Sequence, residues 1–185
     1  MIRRDFLAAA AAFVLTAPVP ALAQTAPSAA QIERSLNAAP RMRISPDKRV
    51  DRRQFIRRPD LRRNAPSIEI QAINFAFASA EIPLSERHKV EQIAIAMRRL
   101  LRRSPREVFL IEGHTDAVGS HENNYRLSVR RAASLKRALV RYFGIPSDAL
   151  ETAGYGEDFL LVQTPHEEWR NRRVTLRRIT DFVLR

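Results

Sequence analysis

The chain has 185 residues, 45% of them hydrophobic, about one domain's worth of core plus extensions. Its formal net charge is +12 and its sequence pI about 11.3, so an anionic partner has to be considered. It contains no cysteine, which excludes disulfides, thiolate metal sites and a lipid anchor on a mature N-terminal Cys.

Residues 1–23 read as a cleavable export signal. Arg3 and Arg4 form the charged start, Phe6 to Leu15 is an alanine-rich apolar run, Pro18 and Pro20 break it, and Ala21-Leu22-Ala23 is a small-x-small cleavage site. The run is shorter than the roughly 20 apolar residues that span a bilayer. Arg3-Arg4-Asp5-Phe6-Leu7 also resembles a twin-arginine motif, alongside the general export route. Residues 24–65 differ in composition: 11 basic and 4 acidic residues give +7, four prolines interrupt, and no long apolar period occurs. Few apolar groups under high like charge do not offset ordering entropy, so this stretch is expected to be a largely disordered arm, with one short helix at Gln31 to Ala38. It reads either as a solvated tether or as an arm for an anionic membrane or lipopolysaccharide, each Lys or Arg near such a surface contributing about 1 kcal/mol. Nucleic acid is not expected as the partner of an exported chain.

The folded domain is expected at residues 66–185. Ile68 to Phe75 alternates as a strand. A turn leads to a helix with Ser85 at its N-cap, along which Val90, Ile93, Ala94, Met97, Leu100 and Leu101 recur at helical spacing. Arg98, Arg99, Arg102 and Arg103 suit the dipole at its C-terminal end. Glu107 to Thr115 is a second strand. A second helix runs from about Asn124 to Phe143, with Leu127, Leu135, Leu139 and Tyr142 on its apolar side and Gly144 as its stop. Ala149 to Gly156 is a third strand with a glycine turn, Asp158 to Trp169 a loop, and Arg172 to Ile179 a fourth strand. The order β-α-β-α-β-β predicts an α+β, two-layer sandwich: a mixed four-stranded sheet with helices on one face.

Asp116 sits where the second strand gives way to a loop, the edge at which open α/β sheets form ligand crevices. Arg131 lies fifteen residues on, in the following helix. A carboxylate and a guanidinium at one crevice suit a ligand carrying both an ammonium and a carboxylate. Read from the residues alone, Asp116 is equally a loop-capping residue and Arg131 a solvated helix charge with Arg130 beside it. Glu112, His114 and Asp116 alternate along the strand, formally a metal-ligand set, although hydrogen bonding that shapes the loop accounts for the same residues. Glycan hydrolysis would need paired carboxylates, for which Glu157 and Asp158 qualify by type only.

Several short motifs occur in one order: Ser79-Ala80, Gly113-His114-Thr115-Asp116 with Gly119-Ser120, Asn124, Leu127-Ser128 with Arg131-Ala132, Gly154-Tyr155-Gly156-Glu157, and Asn171-Arg172-Arg173-Val174. Together they resemble the OmpA C-terminal-like family over Phe75 to Ile179. The resemblance implies non-covalent binding of peptidoglycan through the diaminopimelate of its stem peptide. Asp116 would contact the ligand's ammonium group and Arg131 a carboxylate. Thr115, Asn124, Arg172 and Arg173 would shape or support the pocket. It implies a periplasmic protein associated with the cell wall and outer membrane, a binder rather than an enzyme, with no cofactor and no metal. Asn123-Asn124-Tyr125, His121-Glu122 and Phe159-Leu160-Leu161 depart from the family's usual residues at the pocket rim.

Overall fold

A computed structural model describes residues 26–71, 73 and 80–184. The expected export signal, Ala72, and residues 74–79, which hold the end of the expected first strand and the start of the turn after it, lie outside the described residues. Strands β1 (Ser67–Ile70), β2 (Phe109–Gly113), β3 (Leu150–Gly154) and β4 (Val174–Arg178) form one sheet in the order β1-β4-β2-β3. β4 runs antiparallel to both neighbours and β2 parallel to β3, so the sheet is mixed, as the element order predicts. The two long helices expected from the apolar periodicity are present as Arg87–Arg103 and His121–Phe143, and they pack on one face over Ile70, Phe109, Ile111, Leu150, Val174 and Leu176. All six residues predicted for the inner side of the first of these helices are buried. In the second, Tyr142 is exposed instead of joining the apolar side. That helix also starts earlier than expected, at His121, because the Ser120 hydroxyl accepts from the Asn123 N–H and caps it.

The basic stretch, expected to be largely disordered with one short helix at Gln31 to Ala38, carries that helix two residues earlier and two more: α1 (Ala29–Leu36), α2 (Arg52–Ile56) and α3 (Pro59–Asn64). We therefore number Arg87–Arg103 as α4 and His121–Phe143 as α5. Local chemistry explains the starts. Ser28 with Gln31 and Asp51 with Gln54 make reciprocal capping boxes, and Pro59 occupies the first turn of α3, where its missing N–H costs nothing. Burial explains the docking. Ile32 and Leu36 of α1 enter the core against α4, while Phe55 and Leu61 cover the opposite face of the sheet with Leu110, Ile179 and Phe182. The arm's positive charge, which argued for disorder, is met by acids elsewhere. Arg52 pairs with Glu151 at 2.8 Å, Arg62 with Glu112 at 2.8 Å, and Glu33 of α1 takes Arg99 and Arg103 of α4. So α2 and α3 add a third layer, on the face of the sheet that α4 and α5 leave uncovered.

Under that third layer lies a buried polar seam. Strand alternation sends Glu112, His114, Thr175 and Arg177 to this side. Arg177 grips both oxygens of Glu112, at 3.1 and 3.0 Å, and Arg62 of α3 completes the cluster. His114 is 2% exposed, stacks on Tyr155 and leaves its Nδ1 without a hydrogen-bond partner among the described residues. Burial, then the charges of Arg173, Arg62 and Arg177, push its imidazole well below the ordinary 6.5.

Two outcomes follow from this packing. Phe55→Ala should cost roughly 3–5 kcal/mol, read as a lower urea midpoint; an undocked arm would give no change. His114 refuses a proton that the unfolded chain accepts, so stability falls as pH drops below about 6.5 towards the folded-state value. In His114→Gln, the loss of unfolding free energy between pH 7 and pH 5 should be smaller than in the parent.

Candidate functional site

β2 ends at Gly113, and the chain turns through His114 to Ser120 before α5 begins. Two backbone bonds hold that turn: the His114 N–H donates to the Arg173 carbonyl at 3.0 Å, and the Thr115 N–H to the Gly156 carbonyl at 2.9 Å. Gly119 takes φ +106°, which L side chains rarely adopt. Asp116 is thereby placed at the mouth of a cleft between the turn and the first three turns of α5. Its Oδ1 accepts from the Val118 N–H at 3.4 Å, the weak local bond of an Asx-type turn, and its Oδ2 accepts from Arg172 Nη1 at 2.7 Å.

The cleft has a volume of about 570 Å³. Its lining includes Thr115, Asp116, Asn124, Arg131 and Arg172, five of the six residues singled out in the sequence. Asp116 and Arg131 are both 7% exposed. Burial, then the charge of Arg172, lowers the affinity of the Arg131 guanidinium for its proton, and Asp116 opposes that shift. Thr115 is almost fully buried, and its hydroxyl has no hydrogen-bond partner among the described residues. Asn124 donates to the Glu157 carboxylate, which ties α5 to the loop after β3.

Arg173 is the exception. On the strand it points away from Arg172, and the structure sends it to the opposite face rather than to solvent. There it donates to Glu69 at 2.6 Å and to the Phe159 carbonyl at 2.9 Å. Its contribution to the cleft is its backbone carbonyl, which receives His114. Glu112 and His114 share that opposite face, whereas Asp116 does not, so the three residues that alternate on the strand are separated by the turn. Among the described residues no group of three or more His, Asp or Glu is arranged to hold a metal.

Sequence reasoning missed Arg126 and Glu167 and named Arg130 only as the neighbour of Arg131; all three also line the cleft. Arg126 and Arg130 are four apart on one side of α5, a signal that helical spacing carries. Nothing in the pattern around Glu167 marks it. The lining thus sets four arginines against two carboxylates. Phe159, which departs from the usual rim, turns away from the cleft: Arg62 lies 4.5 Å over its ring and 3.8 Å over that of Tyr155, whose hydroxyl donates to the Ile56 carbonyl at 2.8 Å. His121 meets Asp158 at 2.8 Å, and that hydrogen bond raises the imidazole above its ordinary range.

The OmpA family model matches residues 74–173. Outer membrane porin F of Pseudomonas aeruginosa is 30% identical over 104 residues, covering 55% of this chain and 29% of that protein. The peptidoglycan-associated lipoprotein of the same organism is 42% identical over 72 residues, covering 37% of this chain and 42% of that one. The chain therefore spans less than half the length of these relatives. The periplasmic domain of Helicobacter pylori MotB, at 21% identity, superposes with a TM-score of 0.50 over 60% of this chain and 74% of that one, a likeness of fold. No helix of the described residues is long and apolar enough to cross a membrane. The match covers more than half of the sequence and includes the turn, the cleft-forming end of α5 and the glycine loop, and the chain belongs to the OmpA family.

Proposed function

We propose that this protein binds peptidoglycan non-covalently, through the diaminopimelate of the stem peptide, and so is held at the cell wall in the periplasm. One observation carries the reading: a carboxylate and a guanidinium from separate elements, Asp116 and Arg131, line a single cleft together with Thr115, Asn124 and Arg172. A relative that this chain matches over 72 residues is named for peptidoglycan association. Residues 1–23 would supply export, with the twin-arginine-like pair Arg3-Arg4 as one route.

The side-chain end of diaminopimelate bears an ammonium and a carboxylate on one carbon. Asp116 pairs with the ammonium and Arg131 with the carboxylate in a two-point grip. The Asp116–Arg172 pair must open to admit the ammonium. The Arg172 side chain is 41% exposed and the Asp116 side chain 11%, so Arg172 can swing into solvent while the ligand's ammonium replaces its charge at Asp116, and one ion pair is exchanged for another. Once released, Arg172 is free to take the ligand's carboxylate beside Arg131. The Thr115 hydroxyl supplies a donor or acceptor that has no partner among the described residues. Nothing in this grip breaks a covalent bond; it is binding without turnover. A single two-point grip that must first open the Asp116–Arg172 pair is weak, and many sites on one polymer make weak binding sufficient.

Pelleting with purified sacculi tests the reading. Asp116→Asn should lower the pelleted fraction by at least about tenfold in apparent affinity, which corresponds to roughly 1.4 kcal/mol. Arg131→Lys keeps the charge but loses the two-pronged geometry and should do the same. Free diaminopimelate should release the parent protein. Both variants should melt within a few degrees of the parent, since neither removes apolar burial. Undiminished pelleting in both would overturn the diaminopimelate site.

A further inference from the structure

The N-terminal helices do more than cover the sheet, because a second cleft opens among them. It lies between residues 42–50 and α3, well outside the family match, with a volume of about 520 Å³. Its cationic lining is Arg43, Lys48 and Arg58, and its one acid, Asp60, is spent on Arg58 in a two-bonded pair at 2.9 and 2.7 Å. Arg43 and Lys48 are exposed and have no side-chain partner among the described residues. Beside these charges the wall is apolar: Ile44, Val50 and Leu61 line it, and Met42 is 41% exposed.

Folding into this arrangement changes what the charges can do. On a disordered arm, eleven basic residues form a diffuse cloud. Here Arg52 and Arg62 are committed to Glu151 and Glu112, while Arg43, Lys48 and Arg58 are gathered at one opening. Cations beside an apolar wall match a ligand whose phosphate is joined to hydrocarbon. A free phosphate or a sugar phosphate would leave Met42 and Ile44 without a complement. A nucleic acid would find no aromatic side chain in the cleft on which to stack a base.

We propose that this second cleft is a docking site for the headgroup of an anionic phospholipid at a membrane surface. The phosphate lies between Arg43, Lys48 and Arg58, and Met42 enters the upper acyl region. Arg58 turns from Asp60 to the lipid, an exchange of one exposed pair for another. The site is independent of the Asp116–Arg131 cleft and does not rest on the wall-binding reading.

The test uses the chain from Gln24 onward, so that the apolar run of residues 1–23 cannot itself insert. Partition onto phosphatidylglycerol vesicles is compared with phosphatidylcholine vesicles. The parent should bind the anionic vesicles and not the neutral ones. Arg43→Gln, Lys48→Gln and Arg58→Gln together should lower the partition coefficient by about 100-fold, given the usual gain per basic residue at an anionic surface. A charge-matched control, Arg34→Gln with Arg53→Gln and Arg57→Gln, should lower it by less than about tenfold. Met42→Ser should weaken binding while leaving the net charge unchanged, and it decides the question if the triple variant folds poorly. Equal losses in the two triple variants would show a diffuse charge effect and overturn the site. Equal binding to neutral vesicles, undiminished binding in Met42→Ser, or binding to a short DNA duplex in preference to vesicles would each overturn it as well.

Discussion

The cleft exists because α5 touches the sheet backbone to backbone. A Cβ on Gly113 would lie 2.2 Å from the Ser128 carbonyl oxygen, and one on Gly154 would lie 2.4 Å from the Val129 nitrogen. Gly156, at φ +50°, would meet the Tyr125 nitrogen at 2.9 Å. Any side chain at these places forces the helix away from β2 and β3, since the opposing atoms are backbone and cannot yield. The Ser128 hydroxyl then fastens the contact by accepting from the Gly156 N–H at 2.9 Å. This close approach sets where residues 124 to 131 stand relative to the end of β2, and so whether one small ligand can reach both Asp116 and Arg131.

The second face of the sheet is organised by a buried carboxylate. Glu112 is 1% exposed and is held by Arg62 and Arg177. Such clusters contribute little net stability, because desolvation offsets the attraction, yet removing one member leaves a charge stranded at a cost of roughly 3–5 kcal/mol. Its value here is specificity of placement: α3 docks where its arginine meets Glu112 and the rings of Tyr155 and Phe159. The same loop carries Glu157 to Asn124 on the other side. Residues 155 to 159 are thus shared between the docked N-terminal helices and the Asp116–Arg131 cleft.

Much of this was legible in the sequence. The order of elements and the buried side of α4 follow from apolar periods of two and 3.6. The meeting of Asp116, Arg131, Asn124, Thr115 and Arg172 follows from where strand ends and motif residues fall. The destination of Arg173 was not legible. Strand alternation parts it from Arg172, but only a covering layer makes that side an interior, and the composition of that layer points to disorder. The N-terminal stretch escaped for a related reason. Its apolar anchors are few, chiefly Ile32, Leu36, Phe55 and Leu61, and its charges are balanced by Glu112 and Glu151, far away in the chain. Local composition reports the excess charge and is blind to the compensation. The start of α5 is hidden from the apolar pattern because the charged, polar run His121 to Asn123 lacks an apolar residue, whereas Ser120 caps it on hydrogen-bonding grounds.

The register of β2 and β4 has a mechanical meaning. They lie side by side, Gly113 opposite Val174, so Asp116 and Arg172 emerge from the same end of the sheet. Beyond the other end of β4, Val183 bridges Val50, a residue of the second cleft's wall. A five-residue strand is about 17 Å long. A molecule gripped at both ends would be a strut of nanometre length between two surfaces. Tension on it would run along β2 and β4, loading their ladder bonds in shear, all at once, instead of peeling them open in sequence.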